Sequence, residues 1–556
     1  MSAGRTLADA CANAGRSALN AALSLAPPAE WVLLEVNGHL PERDEPLPLT
    51  QRVLRMARPD LSLAALADHL HRAGADPRLK GVVLRFAGLH LSTTKAWSLR
   101  ALLTRLQREG KQVVVWLDHL DAQSYLVATA ADRIAAPEGA ELEVRGLRLE
   151  VSFLKDLLDR CGVAFDVETM GEYKSAADHL RHSRMSAPQR EMLEALVDSL
   201  WGDLVGAIAD GRRLTEPTVR ALIDQAPMPA RHAMDHGLID GVLYEDELPA
   251  WLGGGDPVRL VPWDRARGLL TRPLRRRADR AIALVPLVGT IIPGQSRRLP
   301  VPLPLMGTQA GAETVVKALR AAARDRTVGA IVLLIDSPGG SALASEQIWR
   351  EVTRVGRHLP VVAWMGDVAA SGGYYAAAAA RSIMAQPSTL TGSIGVIAAK
   401  TVLAGLRERL GVHLEAVSRG RMAGLFTTDH PFDDEEREQV RAMLRRTYDR
   451  FKWHVAEGRR MDLDTVEEVA RGRVWTGRQA LERGLVDGLG GLDAAIEKAK
   501  ELAGLPADRE ADVHVVHGGR GPLVPPHPAA ALAELPGAWD ALQQDTALAL
   551  MPWGLL

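Results

Sequence analysis

Residues Val361 to Val396 read V-V-A-W-M-G-D-V-A-A-S-G-G-Y-Y-A-A-A-A-A-R-S-I-M-A-Q-P-S-T-L-T-G-S-I-G-V. Val361 to Met365 is a short apolar run of strand type, Gly366 breaks it, and Ser371 to Ala380 opens on two glycines and continues in alanine, the best helix former. The reading is a strand, a tight turn and a helix. A serine in the first turn of such a helix lies where backbone N–H groups lack partners and the dipole is positive, which suits an anion developing on a substrate. Ser371 is therefore the candidate nucleophile. The same residues also fit a plain helix N-cap, and Ala369 stands where the nucleophile elbow of hydrolases has its first glycine, so the window alone leaves both readings open.

Working outward, the strand belongs to a pattern that occurs twice. Trp31 to Val36, Val82 to Phe86 and Val113 to Leu117 read as strands, with helices marked by Leu63, Leu66 and Leu70 and by Trp97 to Leu106. Ile282 to Val288, Val315 to Ala323, Ile331 to Asp336, Ser345 to Val355 and Val361 to Met365 repeat the order. Alternating strands and helices predict parallel sheets with right-handed crossovers. Asp76-Pro77-Arg78 matches Asp325-Arg326-Thr327, Ala131 to Ile134 matches Ala380 to Ile383, and Gly162-Val163 matches Gly411-Val412, each pair 249 residues apart. A constant offset of this kind is a duplication.

The expected organisation is a helical segment over 1–29, a first α/β copy over 30–271, a basic linker over 272–280, a second copy over 281–505, and a Pro/Ala-rich tail over 506–556. The first segment reads as a weakly amphipathic helix interrupted by Asn20 and Ser24. It has neither the ~20 apolar residues of a spanning helix nor a clear signal peptide. It packs on the body of the protein or lies on a membrane surface. The linker, with its run of arginines, reads as a solvated connector or an anionic-lipid contact. The tail, with Trp539, Leu548, Leu550, Met551, Trp553, Leu555 and Leu556, reads as an appendage, a membrane-interface segment or an oligomer contact.

Composition narrows the function. Hydrophobic content of 47%, charged content of 24% and a formal net charge of −2 describe a globular chain with no reason to bind nucleic acid, and 4% aromatics offer few stacking platforms. Cys11 and Cys161 make no disulfide framework and fit no metal spacing. No metal or cofactor is expected.

Differences between the copies point to chemistry, because folding needs similar residues in both and catalysis does not. Ser371 falls on Ala122 in the first copy, and the loop Asp336-Ser337-Pro338-Gly339-Gly340-Ser341 has no glycine-rich counterpart beside Ala87, Gly88 and Leu89. Adjacent glycines let backbone N–H groups point at a ligand, as an oxyanion hole requires. A serine needs a base, and none of the histidines has a marked spacing. Lys174, in Thr169-Met-Gly-Glu-Tyr-Lys174-Ser-Ala-Ala, corresponds to Ala423 in the second copy. A buried lysine can serve as a base; a lone lysine is also ordinary surface decoration.

A-A-S-G-G-Y-Y, followed by P-S-T-L-T-G-S-I-G-V, preceded by D-S-P-G-G and joined to G-E-Y-K-S-A in the first copy, resembles the signal peptide peptidase A, or protease IV, family in its long two-copy form. The resemblance covers roughly residues 30 to 500. It implies tandem crotonase- or Clp-like α/β domains and a Ser/Lys peptidase. Ser371 would be the nucleophile, Lys174 the general base, the N–H groups of Gly340 and Gly372 the oxyanion hole, and Ser393 the residue that orients the lysine. It further implies apolar peptide substrates such as cleaved signal peptides, a bowl-shaped homotetramer, and a membrane-associated, periplasmic location. Without a clear signal peptide or spanning helix, a soluble or cytoplasmic location stays open, as does a peripheral membrane contact. The rival readings are an acyl-CoA-handling enzyme of the same fold and a non-catalytic membrane scaffold.

Overall fold

The structure is a computed structural model, and it describes residues 2–25, 27–43, 61–298, 308–519 and 548–550. Apolar runs rich in Val, Ile, Leu and Ala form two parallel sheets buried on both faces, as such sequences must when helices cover them. In the first, the strands run in the order Gly241–Val242, Arg133–Ala136, Gln112–Leu117, Gly81–His90, Trp31–His39 and Leu260–Pro262. In the second, Gly488–Leu489, Ser382–Ala385, Val361–Ala370, Val328–Ser337, Ala281–Val288 and Val513–Val515 follow the same order.

The repetition extends to single hydrogen bonds. Buried Tyr125 donates from its hydroxyl to the Leu238 carbonyl and Tyr374 to that of Leu485. Arg212 grips Asp240, which accepts from the Ile134 amide, while Arg459 grips Asp487, which accepts from that of Ile383.

Several details differ from the sequence reading. Gly366 does not end its strand, which runs from Val361 to Ala370. The pairing with the neighbouring strand slips between Ile335/Met365 and Ser337/Ala369, so the glycine marks a bulge. Beyond it, the strand exchanges one partner, Ser382–Ala385, for another, Leu390–Gly392. The helix after Ser371 covers only Gly372–Ala377, because Arg381 already donates to the Val361 carbonyl as the chain turns into the next strand.

The N-terminal helix runs unbroken from Ser2 to Ser24. Asn20 does not interrupt it. Asn13 and Asn20 each use both ends of the amide side chain to pair with the backbone of Arg275 and Arg272, respectively. On its far side the linker pairs through Arg276 and Ala278 with Glu510. It is thus a strip held between a helix and a later segment. The second sheet also reaches past residue 505, taking Val513–Val515 as its edge strand.

A third, seven-stranded sheet joins the two halves. Its order is Arg297–Arg298, Thr308–Gly311, Thr290–Ile292, Gly339–Ser341, Leu548–Leu550, Val396–Val402 and Ala164–Met170. Ala164–Met170 comes from the first half and pairs antiparallel along its whole length with Val396–Val402 of the second. Leu548–Leu550 is thereby a strand inside a sheet, which none of the three readings of the tail anticipated; Trp539, Met551, Trp553, Leu555 and Leu556 lie outside the described residues.

Candidate active site

Ser371 stands where the strand Val361–Ala370 turns into its helix, with φ 54° and ψ −111°. A positive φ is unusual for serine and costs on the order of 1–3 kcal/mol. The turn is held by the Ser371 amide donating to the Gly392 carbonyl and by the Tyr375 amide donating to the Ser371 carbonyl. The side chain makes no cap bond to its helix, so the hydroxyl is directed elsewhere.

It meets Lys174. The lysine Nζ lies 2.7 Å from Ser371 Oγ, 3.0 Å from Ser393 Oγ and 3.0 Å from the Ser393 carbonyl oxygen. All three side chains are buried, Lys174 at 1% exposure. Burial, with no carboxylate among the described residues to offset it, pushes the lysine well below its ordinary range. A neutral amine has two N–H donors and one lone pair. The Ser393 carbonyl can only accept, Ser393 Oγ takes the second N–H, and the lone pair is left for the Ser371 hydroxyl.

The lysine reaches this position because the Ala164–Met170 strand delivers it. After Met170 the chain turns at Gly171, whose φ is 104°, and the Lys174 amide closes the turn on the Gly171 carbonyl. In the second copy the Ala423 amide makes the same bond to Gly420, but that turn is exposed and carries no amine.

The glycines expected to hold an oxyanion lie beside the serine. A Cβ added to Gly372 would sit 3.2 Å from the Gly340 nitrogen and 2.5 Å from Ser345 Oγ, and one added to Gly340 would sit 2.0 Å from the Ile291 carbonyl oxygen. Neither position admits a side chain. Ser371, Lys174, Ser393, Gly340 and Gly372 therefore converge on one place from loops far apart in sequence.

Sequence reasoning missed the strut that ties the lysine to Ser393. Tyr173 donates to the Arg471 carbonyl, Gly472 donates to the Ile394 carbonyl, and Ser393 donates to the Arg473 carbonyl. Gly472 has φ 79°, and a Cβ there would come within 2.6 Å of Lys174 Cβ. Arg473 stacks on Tyr173 and Trp475 and pairs with Glu191. A glycine between two arginines, Arg471-Gly472-Arg473, is the signal, and it is a faint one. Among the described residues no group of three or more His, Cys, Asp or Glu is arranged to hold a metal, and no helix is long and apolar enough to cross a membrane.

The family model of peptidase family S49 matches residues 105–255 and 354–506, one stretch in each half. The chain is 34% identical over 458 residues to the chloroplastic serine protease SPPA of Arabidopsis thaliana, covering 81% of this chain and 67% of that protein. It is 29% identical over 454 residues to Protease 4 of Haemophilus influenzae, covering 78% and 72%, and 29% identical over 464 residues to Protease 4 of Salmonella typhi, covering 80% and 72%. An α/β chain with a buried serine at a strained strand-to-helix turn and relatives of this kind is a serine peptidase. It belongs to peptidase family S49, in the long two-copy form of its SPPA and Protease 4 relatives.

Proposed function

We propose that this peptidase is an endopeptidase with a Ser371–Lys174 dyad that degrades apolar peptides such as cleaved signal peptides. The observation that carries the proposal is the 2.7 Å contact between a fully buried serine hydroxyl and a buried lysine amine with no acid beside it among the described residues. Neutral Lys174 takes the Ser371 proton as Oγ attacks the peptide carbonyl. The N–H groups of Gly340 and Gly372 hold the resulting oxyanion. Lys174, now an ammonium, gives its proton to the leaving amine, and the acyl-enzyme is released when water, deprotonated by Lys174, attacks it. Ser393 keeps the amine aimed.

The division of labour supports two units, 30–271 supplying the base and 281–505 supplying the nucleophile and the oxyanion donors. A serine-directed fluorophosphonate, followed by cleavage of an apolar peptide, tests the assignment. The probe should label wild type and not Ser371→Ala, and cleavage should fall by several powers of ten in Ser371→Ala. Labelling retained in the variant defeats it.

The duplication also supports the proposed homotetramer. Ala164–Met170 of the first copy pairs with Val396–Val402 of the second, and their counterparts 249 residues away, 413–419 and 147–153, form no strand. Residues 413–419 are exposed, Val417 at 93%. A Cβ added to Gly162 would sit 2.5 Å from the Gly405 backbone, whereas one added to its counterpart Gly411 would meet nothing within 4 Å. The arm 147–153 of one subunit and the arm 413–419 of the next can make between chains the pairing already made within one, and repetition closes a ring.

A further inference from the structure

The hydrogen bonds that both copies share serve the fold, and beside them the second copy carries a polar cluster that the first replaces with apolar residues. Glu346, in the helix Ala342–Gly356, accepts at Oε2 from the hydroxyl of Tyr375, and the same oxygen lies 2.9 Å from Nε2 of His454. His454 comes from the helix Asp434–Arg459, is 4% exposed and stacks on Trp349 with 3.4 Å between ring centroids. Its Nδ1 is buried without a hydrogen-bond partner among the described residues, which a bare acceptor tolerates better than an N–H, so the donor is Nε2. Burial works against the Glu346 charge, but the bonds from His454 and Tyr375 outweigh it and hold the carboxyl below its ordinary range. In the first copy the residue five after the N-cap serine is Trp97 instead of Glu346, the one after the shared tyrosine is Leu126 instead of Tyr375, and the one five before the shared arginine is Ala207 instead of His454. All three pack in or against the first apolar core, so this fold does not require the polar cluster.

Its place is beside the candidate oxyanion hole. Tyr375 follows Gly372 by three residues, and its amide donates to the Ser371 carbonyl. Glu346 lies in the helix that continues directly from Gly339–Ser341, and its neighbour Ser345, which donates to the Ser341 carbonyl, is the side chain that a Cβ on Gly372 would strike. The two elements that carry the glycine donors are thus tied together at Glu346. We infer that Glu346 is a positioning residue of the proposed peptidase site: by accepting from Tyr375 while His454 holds it from the other side, it fixes the spacing between the N–H groups of Gly340 and Gly372. The inference rests on the oxyanion role proposed for those two glycines. Apolar packing, as at Trp97, Leu126 and Ala207, holds helices together without setting a direction. Hydrogen bonds to a carboxylate are short and directional. Oxyanion donors need that constraint, because a misplacement of about 1 Å can cost on the order of a hundredfold in rate.

Tyr375→Phe deletes one oxygen and keeps the ring against Phe451, so it removes the tie and leaves the packing. In the full-length protein it should lower kcat for an apolar reporter peptide about tenfold or more, with KM within about twofold of wild type. Glu346→Leu should do the same, and Glu346→Gln, whose carbonyl can still accept both bonds, should recover most of the loss. A peptide aldehyde, which adds to a nucleophilic serine and sets its oxygen in the oxyanion hole, separates positioning from a general loss of structure. It should bind Tyr375→Phe about tenfold or more weakly than wild type. The labelled reporter peptide, followed by anisotropy in a Ser371→Ala background, should bind equally with and without Tyr375→Phe. Wild-type kcat and aldehyde affinity in Tyr375→Phe, or a loss in Glu346→Gln equal to that in Glu346→Leu, overturns the inference. Weaker binding of the reporter peptide to match the weaker aldehyde also overturns it. Undiminished cleavage by Ser371→Ala is the distinct result that defeats the proposed site itself, and the role of Glu346 with it.

Discussion

Lys174 is buried among neutral partners, so its ammonium form is destabilised relative to the unfolded chain. Two consequences follow with definite sign. Activity should rise from neutral into alkaline pH as the amine loses its proton, and a pH–rate profile that stays flat from acid to alkaline, with chemistry limiting, would contradict it. In the folded state the lysine binds fewer protons than in the unfolded state, so stability climbs with pH between its depressed folded value and the ordinary lysine value. Each pH unit in that window is worth about 1.4 kcal/mol. Lys174→Met should therefore melt at a higher temperature than wild type at neutral pH, and the gap should shrink as pH approaches about 10. A Lys174→Met protein less stable than wild type at neutral pH would show that the amine is held charged. Gly472 acts on the same residue. Gly472→Ala forces a methyl to within 2.6 Å of Lys174 Cβ at a left-handed φ, and the displaced amine should cost about tenfold to a hundredfold in kcat with little change in KM. Wild-type kcat in that variant would show that the strut has slack.

At the scale of elements, the strands and helices of both copies were legible because period and composition agree with what each element buries. Where the reading failed, the cause was non-local. Gly366 looks like a strand end, yet the strand persists because its neighbour tolerates a slip in register. Asn20 looks like a helix interruption, yet its amide belongs to the linker backbone 252 residues away. Ser371, Lys174 and the glycine loop at Gly340 stand out in the sequence because the copies differ there, whereas the roles of Gly372 and Ser393 come only from the resemblance of short motifs to a known family. The Arg471–Arg473 strut leaves only the faint signal of a glycine between two arginines, since most of its work is done by backbone hydrogen bonds. The linker grip makes a prediction of its own: Asn13→Ala with Asn20→Ala should raise the rate of limited tryptic cleavage within 272–280 several-fold, and an unchanged rate would show that pairing with Glu510 alone protects it.

The whole molecule divides the proposed chemistry between its halves, since the lysine arrives on a strand of the first and the serine at a strand end of the second. A chain of residues 278–556 should be inactive, because the turn corresponding to that of Lys174 presents Ala423. Mixing it with the separate first half should restore some activity, and a first half carrying Lys174→Ala should not. Assembly is expected to depend on the unpaired arms. Val417→Asp places a charge in the middle of one, and light scattering should then report a smaller particle than for wild type; an unchanged mass would place the subunit contact elsewhere.

The most direct test of the Ser/Lys dyad is a set of four rates of apolar-peptide cleavage, measured at one alkaline pH, for wild type, Ser371→Ala, Lys174→Ala and the double variant. Groups that act as one unit lose their function together, so each single variant should fall by several powers of ten and the double should fall no further. Lys174→Ala within tenfold of wild type, or losses that multiply in the double variant, would contradict the dyad.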